Sequence, residues 1–180
     1  MTRLWQAILV GGLIAGVLDI LYAFAVYGPL SYGLSPLGVL HSVAAGWIGR
    51  DAARAGGWEA GALGLATHFG IALIMAAAYG FAARVWPVLT RRAVLWGLVY
   101  GLILYVAMNY VVVPLSAAGA ARDFPADAAE ALARLADSFS EIRPRYDAAF
   151  PWMIPGTILT HTLLVGLPIA LAAKRFTDAD

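Results

Sequence analysis

Residues 93–116 read AVLWGLVYGLILYVAMNYVVVPLS and contain no charged side chain. As a helix, this stretch would be about 36 Å long at 1.5 Å per residue, which exceeds the roughly 30 Å hydrocarbon core of a bilayer. Three further stretches are comparably apolar, at residues 4–28, 60–83 and 152–173. Across the four stretches, Asp19 is the one Asp, Glu, Lys or Arg residue. We therefore predict an all-α integral membrane protein with four transmembrane helices.

The composition favours lipid over water as the surrounding solvent. The 180 residues are 62% hydrophobic and 13% charged, and this charged fraction is about half that of a typical soluble domain. The net charge of +1 and the lack of a basic run argue against a nucleic-acid partner. The absence of cysteine excludes disulfides and cysteine-bound iron–sulfur clusters. We expect a single membrane domain over residues 1–180, with the lipid bilayer as its partner.

A fifth apolar stretch, residues 36–49, is predicted to be a short re-entrant or interfacial helix. Ser35 suits the N-cap position and Pro36 the first helical position. A helix of this length rises about 21 Å, which is too short to cross the hydrocarbon core. The positive-inside rule then places both termini in the cytoplasm. The cytoplasmic side would carry six basic residues, namely Arg3, Arg84, Arg91, Arg92, Lys174 and Arg175.

The connector between the third and fourth apolar stretches is predicted to contain an amphipathic helix at residues 125–143. Leu132, Leu135, Phe139 and Ile142 recur at helical spacing, with polar residues between them. We expect this helix to lie on the outer rim of the bundle. A gating lid is the alternative.

An internal repeat relates the two halves of the chain. The second and fourth apolar stretches share a Thr-His pair, with an offset of 93 between His68 and His161. We predict two tandem helical hairpins, at about residues 4–84 and 93–175, related by a pseudo-two-fold axis along the membrane normal. The first and third stretches share Gly-x-x-x-Gly and Pro-Leu-Ser at a constant offset of 85, so that Gly12, Gly16 and Pro29 correspond to Gly97, Gly101 and Pro114.

Polar side chains within the predicted spans gather at one depth. When residues are counted at 1.5 Å each, Asp19 falls in the outer third of the bilayer, and three other polar side chains reach the same level. A carboxylate in hydrocarbon costs about 2.5–3.5 kcal/mol, so Asp19 should face the bundle interior. Histidine is a natural partner because it pairs with a carboxylate and titrates near neutral pH. We predict an outer-facing polar pocket whose candidate proton-binding or ligand-binding residues are Asp19, Tyr22, His41, His68, Asn109 and His161.

Three segments carry a family resemblance. They are GGLIAGV at residues 11–17, NYVVVPLSAAG at 109–119 and HTLLVGLPIALAAKRF at 161–176. Together with the Thr-His of the second span, they resemble the YagU-like family of bacterial inner-membrane proteins and short membrane proteins related to it. The resemblance covers most of the membrane-embedded chain, whereas the two outer connectors match poorly. It implies a bacterial inner-membrane location and a suspected link to acid tolerance, and it transfers no catalytic residue.

These residues leave three functions open. The favoured one is a small binding or transport component that handles protons or a small solute in the polar pocket. The first alternative is a redox carrier with a haem or metal between His68 and His161, although no cofactor is predicted otherwise. The second alternative is a structural subunit whose polar residues only lock helices together, as a homo-oligomer or with a partner in a membrane complex. No motif indicates catalytic residues, so an enzyme is less favoured.

The predicted topology can be tested by cysteine labelling, because the chain contains no cysteine of its own. In intact cells, a membrane-impermeant maleimide should label D51C and should leave R91C unmodified until the membrane is permeabilised. Equal labelling of both variants in intact cells would contradict the four-span arrangement.

Overall fold

The computed structural model describes residues 3–119, 123–140 and 148–177, and the regular elements within these ranges are all helical. Four helices are long and apolar enough to cross a membrane, which confirms the predicted number of long apolar helices. Their ends differ from the predicted ones by only a few residues. They are the first span, Arg3–Tyr27, the second span, Gly57–Val85, the third span, Ala93–Leu115, and the fourth span, Met153–Phe176.

Shorter helices connect or subdivide these spans. The third span consists of two α-helices joined by a π-helical segment, π1. The fourth span likewise consists of two α-helices joined by a second π-helical segment, π2. The π-helical segments are π1 (Met108–Val112) and π2 (Thr160–Gly166). In chain order the α-helices are α1 (Arg3–Tyr27), α2 (Pro36–Ile48), α3 (Arg50–Ala55), α4 (Gly57–Val85), α5 (Val88–Arg91), α6 (Ala93–Ala107), α7 (Val113–Leu115), α8 (Ala128–Ser140), α9 (Met153–Leu159) and α10 (Leu167–Thr177).

Helix α2 is the predicted short apolar helix, and its start follows from local chemistry. The Ser35 hydroxyl accepts a hydrogen bond from the Gly38 N–H at 3.1 Å, which confirms Ser35 as the N-cap. The helix ends before Gly49, whose φ of 77° lies in the left-handed region that favours glycine. At about 20 Å, α2 is shorter than the hydrocarbon core.

Helix α8 is the amphipathic helix predicted at 125–143, and residues 141–143, including Ile142, lie outside the described residues. Its start is capped reciprocally. The Asp127 side chain accepts from the Glu130 N–H at 2.8 Å, and the Glu130 carboxylate accepts from the Ala126 N–H at 2.8 Å. The Ala126 N–H and then the hydrogen bond from Arg134 hold the pKa of Glu130 below its usual range.

Both π-helical segments end two residues before a proline. π1 precedes Pro114, and π2 precedes Pro168. Proline has no N–H to donate, and its ring crowds the carbonyl four residues earlier. In each case that carbonyl lies inside the π segment, at Tyr110 and at Leu164. We attribute the wider turns to these prolines, because a single π turn is a common way to accommodate a disturbed hydrogen-bond ladder.

The chain forms two compact units. The first unit contains Met1–Tyr22, His68–Tyr105 and Pro155–Asp180, and the second contains Ala23–Thr67 and Val106–Ile154. Each of the four spans contributes residues to both units. In the first unit, the hydrophobic core is built largely from alanines together with Ile8, Tyr79 and Ile169.

Glycines in the first unit allow the first span to contact the second. A Cβ added at Gly12 would lie 3.0 Å from the Leu73 Cα, and one added at Gly16 would lie 2.8 Å from the Phe69 ring. Lipid offers no hydrophobic drive for helix association, so such close contacts supply van der Waals energy instead. The first Gly-x-x-x-Gly motif therefore has a packing role.

The second Gly-x-x-x-Gly motif packs the third span against the fourth. A Cβ added at Gly97 would lie 3.0 Å from the Leu167 Cα, and one added at Gly101 would lie 2.5 Å from the Thr162 Cα. These neighbours are backbone atoms, which cannot move aside as the end of a flexible side chain can. A side chain at Gly101 would consequently disturb the helix packing more than one at Gly97.

Two glycine substitutions separate packing from helix propensity. Gly101→Ala should destabilise the protein by about 1–3 kcal/mol, because its Cβ would overlap the backbone of the fourth span. Gly70→Ala is the matched control, because among the described residues no atom outside its own helical turns lies within 4 Å of its added Cβ, and Ala is favoured over Gly in a helix by roughly 1 kcal/mol. Unfolding in mixed micelles titrated with sodium dodecyl sulfate would measure the stability of both variants. Equal stability of the two variants would contradict the close contact.

Candidate functional site

The first unit contains four of the six candidate residues. Asp19 and Tyr22 lie on α1, His68 lies on α4, and His161 lies in π2. The other two candidates belong to the second unit. Those two are His41 on α2 and Asn109 in π1.

His68 has one ring nitrogen on a backbone carbonyl and the other directed at Asp19. Its Nε2 lies 2.8 Å from the Gly16 carbonyl oxygen. A carbonyl can only accept, so Nε2 must carry the proton and donate it. In the neutral ring, Nδ1 is then the basic nitrogen, and it lies 3.9 Å from the Asp19 carboxylate oxygen. The hydrogen bond to Gly16 therefore aims the proton-accepting nitrogen of His68 at the carboxyl group.

The separation between His68 and Asp19 fits charge pairing better than direct hydrogen bonding. At 3.9 Å it exceeds a normal N–H···O distance. It is short enough for strong attraction when His68 is protonated and Asp19 is ionised. The His68 side chain is 12% exposed and that of Asp19 is 31% exposed, so the pair is largely removed from solvent.

His161 has the opposite tautomer. Its Nδ1 lies 2.9 Å from the Thr157 carbonyl oxygen, so Nδ1 donates and Nε2 is the basic nitrogen. The ring packs edge-to-face against Tyr105, with centroids 5.8 Å apart. His161 also lies close enough to Asp19 for the two to interact electrostatically. Asp19 is therefore within the field of two histidines.

The local sequence Thr160-His161-Thr162 explains how this histidine is held. The Thr160 hydroxyl donates to the Gly156 carbonyl at 2.8 Å, and the Thr162 hydroxyl donates to the Ile158 carbonyl at 2.8 Å. Together with His161, three successive side chains thus bond one turn back along the helix. Such bonds compete with the backbone ladder and often bend a helix. These bonds occur where the π-helical segment begins. The irregular backbone hydrogen bonding and the hydrogen bond that holds His161 therefore lie in the same helical turn.

Tyr22 lies one turn after Asp19, on the same face of α1. Its hydroxyl oxygen is buried and has no hydrogen-bond partner among the described residues. An unsatisfied buried hydroxyl typically costs about 1–3 kcal/mol. A water molecule or a small hydrogen-bonding solute would remove that cost.

His41 has a local structural role in the second unit. Its Nε2 lies 2.7 Å from the Gly57 carbonyl oxygen, which ties α2 to the start of α4. The carbonyl again fixes the tautomer, with the proton on Nε2. In the same unit, Asn109 precedes Tyr110, whose ring stacks on Phe139 of α8 at 5.6 Å.

A haem held axially between His68 and His161 would need one ring nitrogen of each histidine to face the iron. Both ring nitrogens of His68 are directed at protein oxygens, those of Gly16 and Asp19. Across residues 3–119, 123–140 and 148–177, no three His, Cys, Asp or Glu side chains are grouped so that they could hold a metal ion.

Two backbone groups in this site could not be identified from the sequence. The Gly16 and Thr157 carbonyls determine which nitrogen of each histidine is basic. A carbonyl is present at every residue, so the sequence carries no signal for these two. Gly16 was recognisable as a packing residue, and its lack of a side chain also leaves its carbonyl accessible to His68.

The three histidines offer a direct test of this geometry. In the neutral state, His41 and His68 should carry the proton on Nε2, and His161 should carry it on Nδ1. Solid-state ¹⁵N NMR of histidine-labelled protein in lipid, at a pH where the rings are neutral, distinguishes the two tautomers. Single His→Gln variants assign the signals. A uniform tautomer for all three rings would contradict the hydrogen bonds described here.

No family model, no curated protein and no solved structure matches the chain.

Proposed function

We propose that the protein is a small membrane-embedded binding or transport component that takes up and releases protons at Asp19, His68 and His161. The observation that carries this proposal is the placement of the basic Nδ1 of His68 3.9 Å from the Asp19 carboxylate. A carboxyl group and an imidazole so placed can exchange a proton without changing the net charge of the site. The transfer step between these two groups therefore creates no unpaired charge in hydrocarbon, which would be costly, whereas uptake or release of a proton changes the charge of the site by one.

The transfer itself requires closer approach than the distance described. Proton transfer occurs at about 2.6–3.2 Å or through one intervening water. A water between Asp19 and His68, or a small movement of either side chain, would complete the path. The proposal therefore assigns proton uptake to the three residues together, and not to one of them alone.

The arrangement of the chain as two tandem hairpins is part of the proposal. It is supported by matching contacts in the first unit. Gly16 meets Phe69 and Gly101 meets Thr162, and the two partners differ by the same 93 residues as the two histidines. We further propose the pseudo-two-fold axis, cytoplasmic termini and a pocket open to the outer face. The bacterial inner-membrane location rests on the resemblance to the YagU-like family.

A structural subunit is the second candidate function, and one observation favours it. The His68 Nε2 hydrogen bond to Gly16 joins α4 to α1, as an ordinary interhelical polar contact would. His68→Gln separates the two roles, because a glutamine amide can still donate to a carbonyl but cannot titrate near neutral pH.

The proposal predicts the behaviour of Asp19→Asn, which keeps the side-chain shape and removes the titrating carboxyl group. In proteoliposomes carrying an internal pH-sensitive dye, an imposed pH gradient should drive proton movement through the wild type. Asp19→Asn should reduce that movement at least tenfold, while its helical circular dichroism and micelle unfolding stay near those of the wild type.

Glu59→Gln is the matched control, because it removes an exposed carboxylate outside the site. Its proton movement should equal that of the wild type. In infrared difference spectra after a pH jump, the band of the Asp19 carboxyl group should be missing from Asp19→Asn and present in Glu59→Gln, while the bands of the other acidic residues remain. Unchanged flux and unchanged spectra in Asp19→Asn would favour the structural subunit.

A further inference from the structure

The first unit carries a group of cations that the proposed function does not use. They lie in the last turn of α4, at the end of α5 and in the last turn of α10. All are exposed, and none makes a salt bridge within the described residues. In the described part of this unit, Asp19 is the sole acidic residue. We call this group the cationic end, and its members are Arg84, Arg91, Arg92, Lys174 and Arg175.

These cations are brought together by a shared core. Helix α5 contacts α10 within the unit. Ala83, Ala93 and Ala173 belong to one buried cluster, and each directly neighbours a cation in sequence. The buried alanines therefore anchor the residues whose charged neighbours extend outwards.

The turn that presents the arginines is internally hydrogen-bonded. The Tyr79 hydroxyl donates to the Leu89 carbonyl at 3.0 Å, and the Thr90 hydroxyl donates to the Pro87 carbonyl at 3.1 Å. Thr90 is only 4% exposed, so the turn is seated in the unit. A preorganised turn loses less conformational entropy on binding than a free loop does.

The same turn exposes apolar side chains next to its cations. Val85 is 69% exposed, Trp86 is 59% exposed and Val88 is 41% exposed. Tryptophan beside basic residues is typical of the boundary between headgroups and acyl chains. A free phosphate would satisfy the arginines only, whereas a phospholipid would also cover the apolar side chains. The surface therefore matches a lipid.

We propose that the cationic end binds the phosphodiester headgroup of an anionic glycerophospholipid, with Arg91 and Arg92 as its principal contacts. The positive-inside rule explains cations at this end through membrane insertion alone. A lipid site predicts one thing that membrane insertion alone does not. The folded protein should retain an anionic lipid in preference to an uncharged one.

The test uses the full chain purified in micelles, where both faces are accessible and topology in the cell has no influence. Phosphatidylglycerol and phosphatidylcholine with identical acyl chains are titrated separately, and retained lipid is counted by native mass spectrometry. The wild type should retain phosphatidylglycerol in preference. R91Q/R92Q should weaken that binding about 25-fold, at about fivefold per arginine.

Two variants and two conditions serve as controls. R91K/R92K keeps the charge and should retain most of the binding, whereas R50Q/R54Q removes two arginines from the second unit and should bind like the wild type. Raising the salt concentration should weaken binding to the wild type by screening. Inorganic phosphate at the same concentration as the lipid should leave phosphatidylglycerol bound.

Three outcomes would overturn the proposal. The wild type could retain both lipids equally, R91Q/R92Q could bind phosphatidylglycerol as the wild type does, or inorganic phosphate could displace the lipid. The last result would identify a site for a free anion instead.

Discussion

The carboxylate of Asp19, well inside the first of four apolar helices, sets the main constraint on this protein. Hydrocarbon cannot solvate Asp19, so the chain must supply opposite charge, hydrogen-bonding groups or water around it. The first unit supplies two histidines, of which His68 approaches to 3.9 Å. The hydrogen bonds from His68 to Gly16 and from His161 to Thr157 then determine which ring nitrogen is basic. The chemistry of the site follows from these two backbone carbonyls.

Close helix packing at two glycines makes this placement of the histidines possible. Gly16 admits the Phe69 ring and also presents its carbonyl to the neighbouring histidine. Gly101 lies against the backbone at His161 and Thr162, so the third span reaches the other histidine. The same residues that let the helices approach thus bring polar groups from different spans together. Helix packing and the placement of the histidines are therefore linked at these two glycines.

Local signals in the sequence were sufficient for much of the fold. The long apolar stretches predicted the four spans, and Ser35 before Pro36 predicted the start of α2. Apolar residues at helical spacing predicted α8. Each of these depends on neighbours along the chain, which is why the sequence alone reveals them.

The remaining features depend on contacts between distant residues. Pro114 and Pro168 were visible in the sequence, but whether a proline kinks a helix or widens one turn depends on its surroundings. Counting residues gave Asp19, His68 and His161 a common depth, yet it could not give a distance or a tautomer. The Gly16 and Thr157 carbonyls have no sequence signature at all. The two groups that direct the histidines were for that reason beyond sequence analysis.

The central claim is that Asp19 and His68 share protons inside the membrane. Its most direct test is a pH titration of the protein in lipid, following the Asp19 carboxyl ¹³C shift and the His68 ring ¹⁵N shifts together. Sharing predicts that both signals change over the same pH range and that His68→Gln alters the Asp19 titration. Independent titration of the two groups, with the Asp19 curve unaffected by His68→Gln, would contradict it.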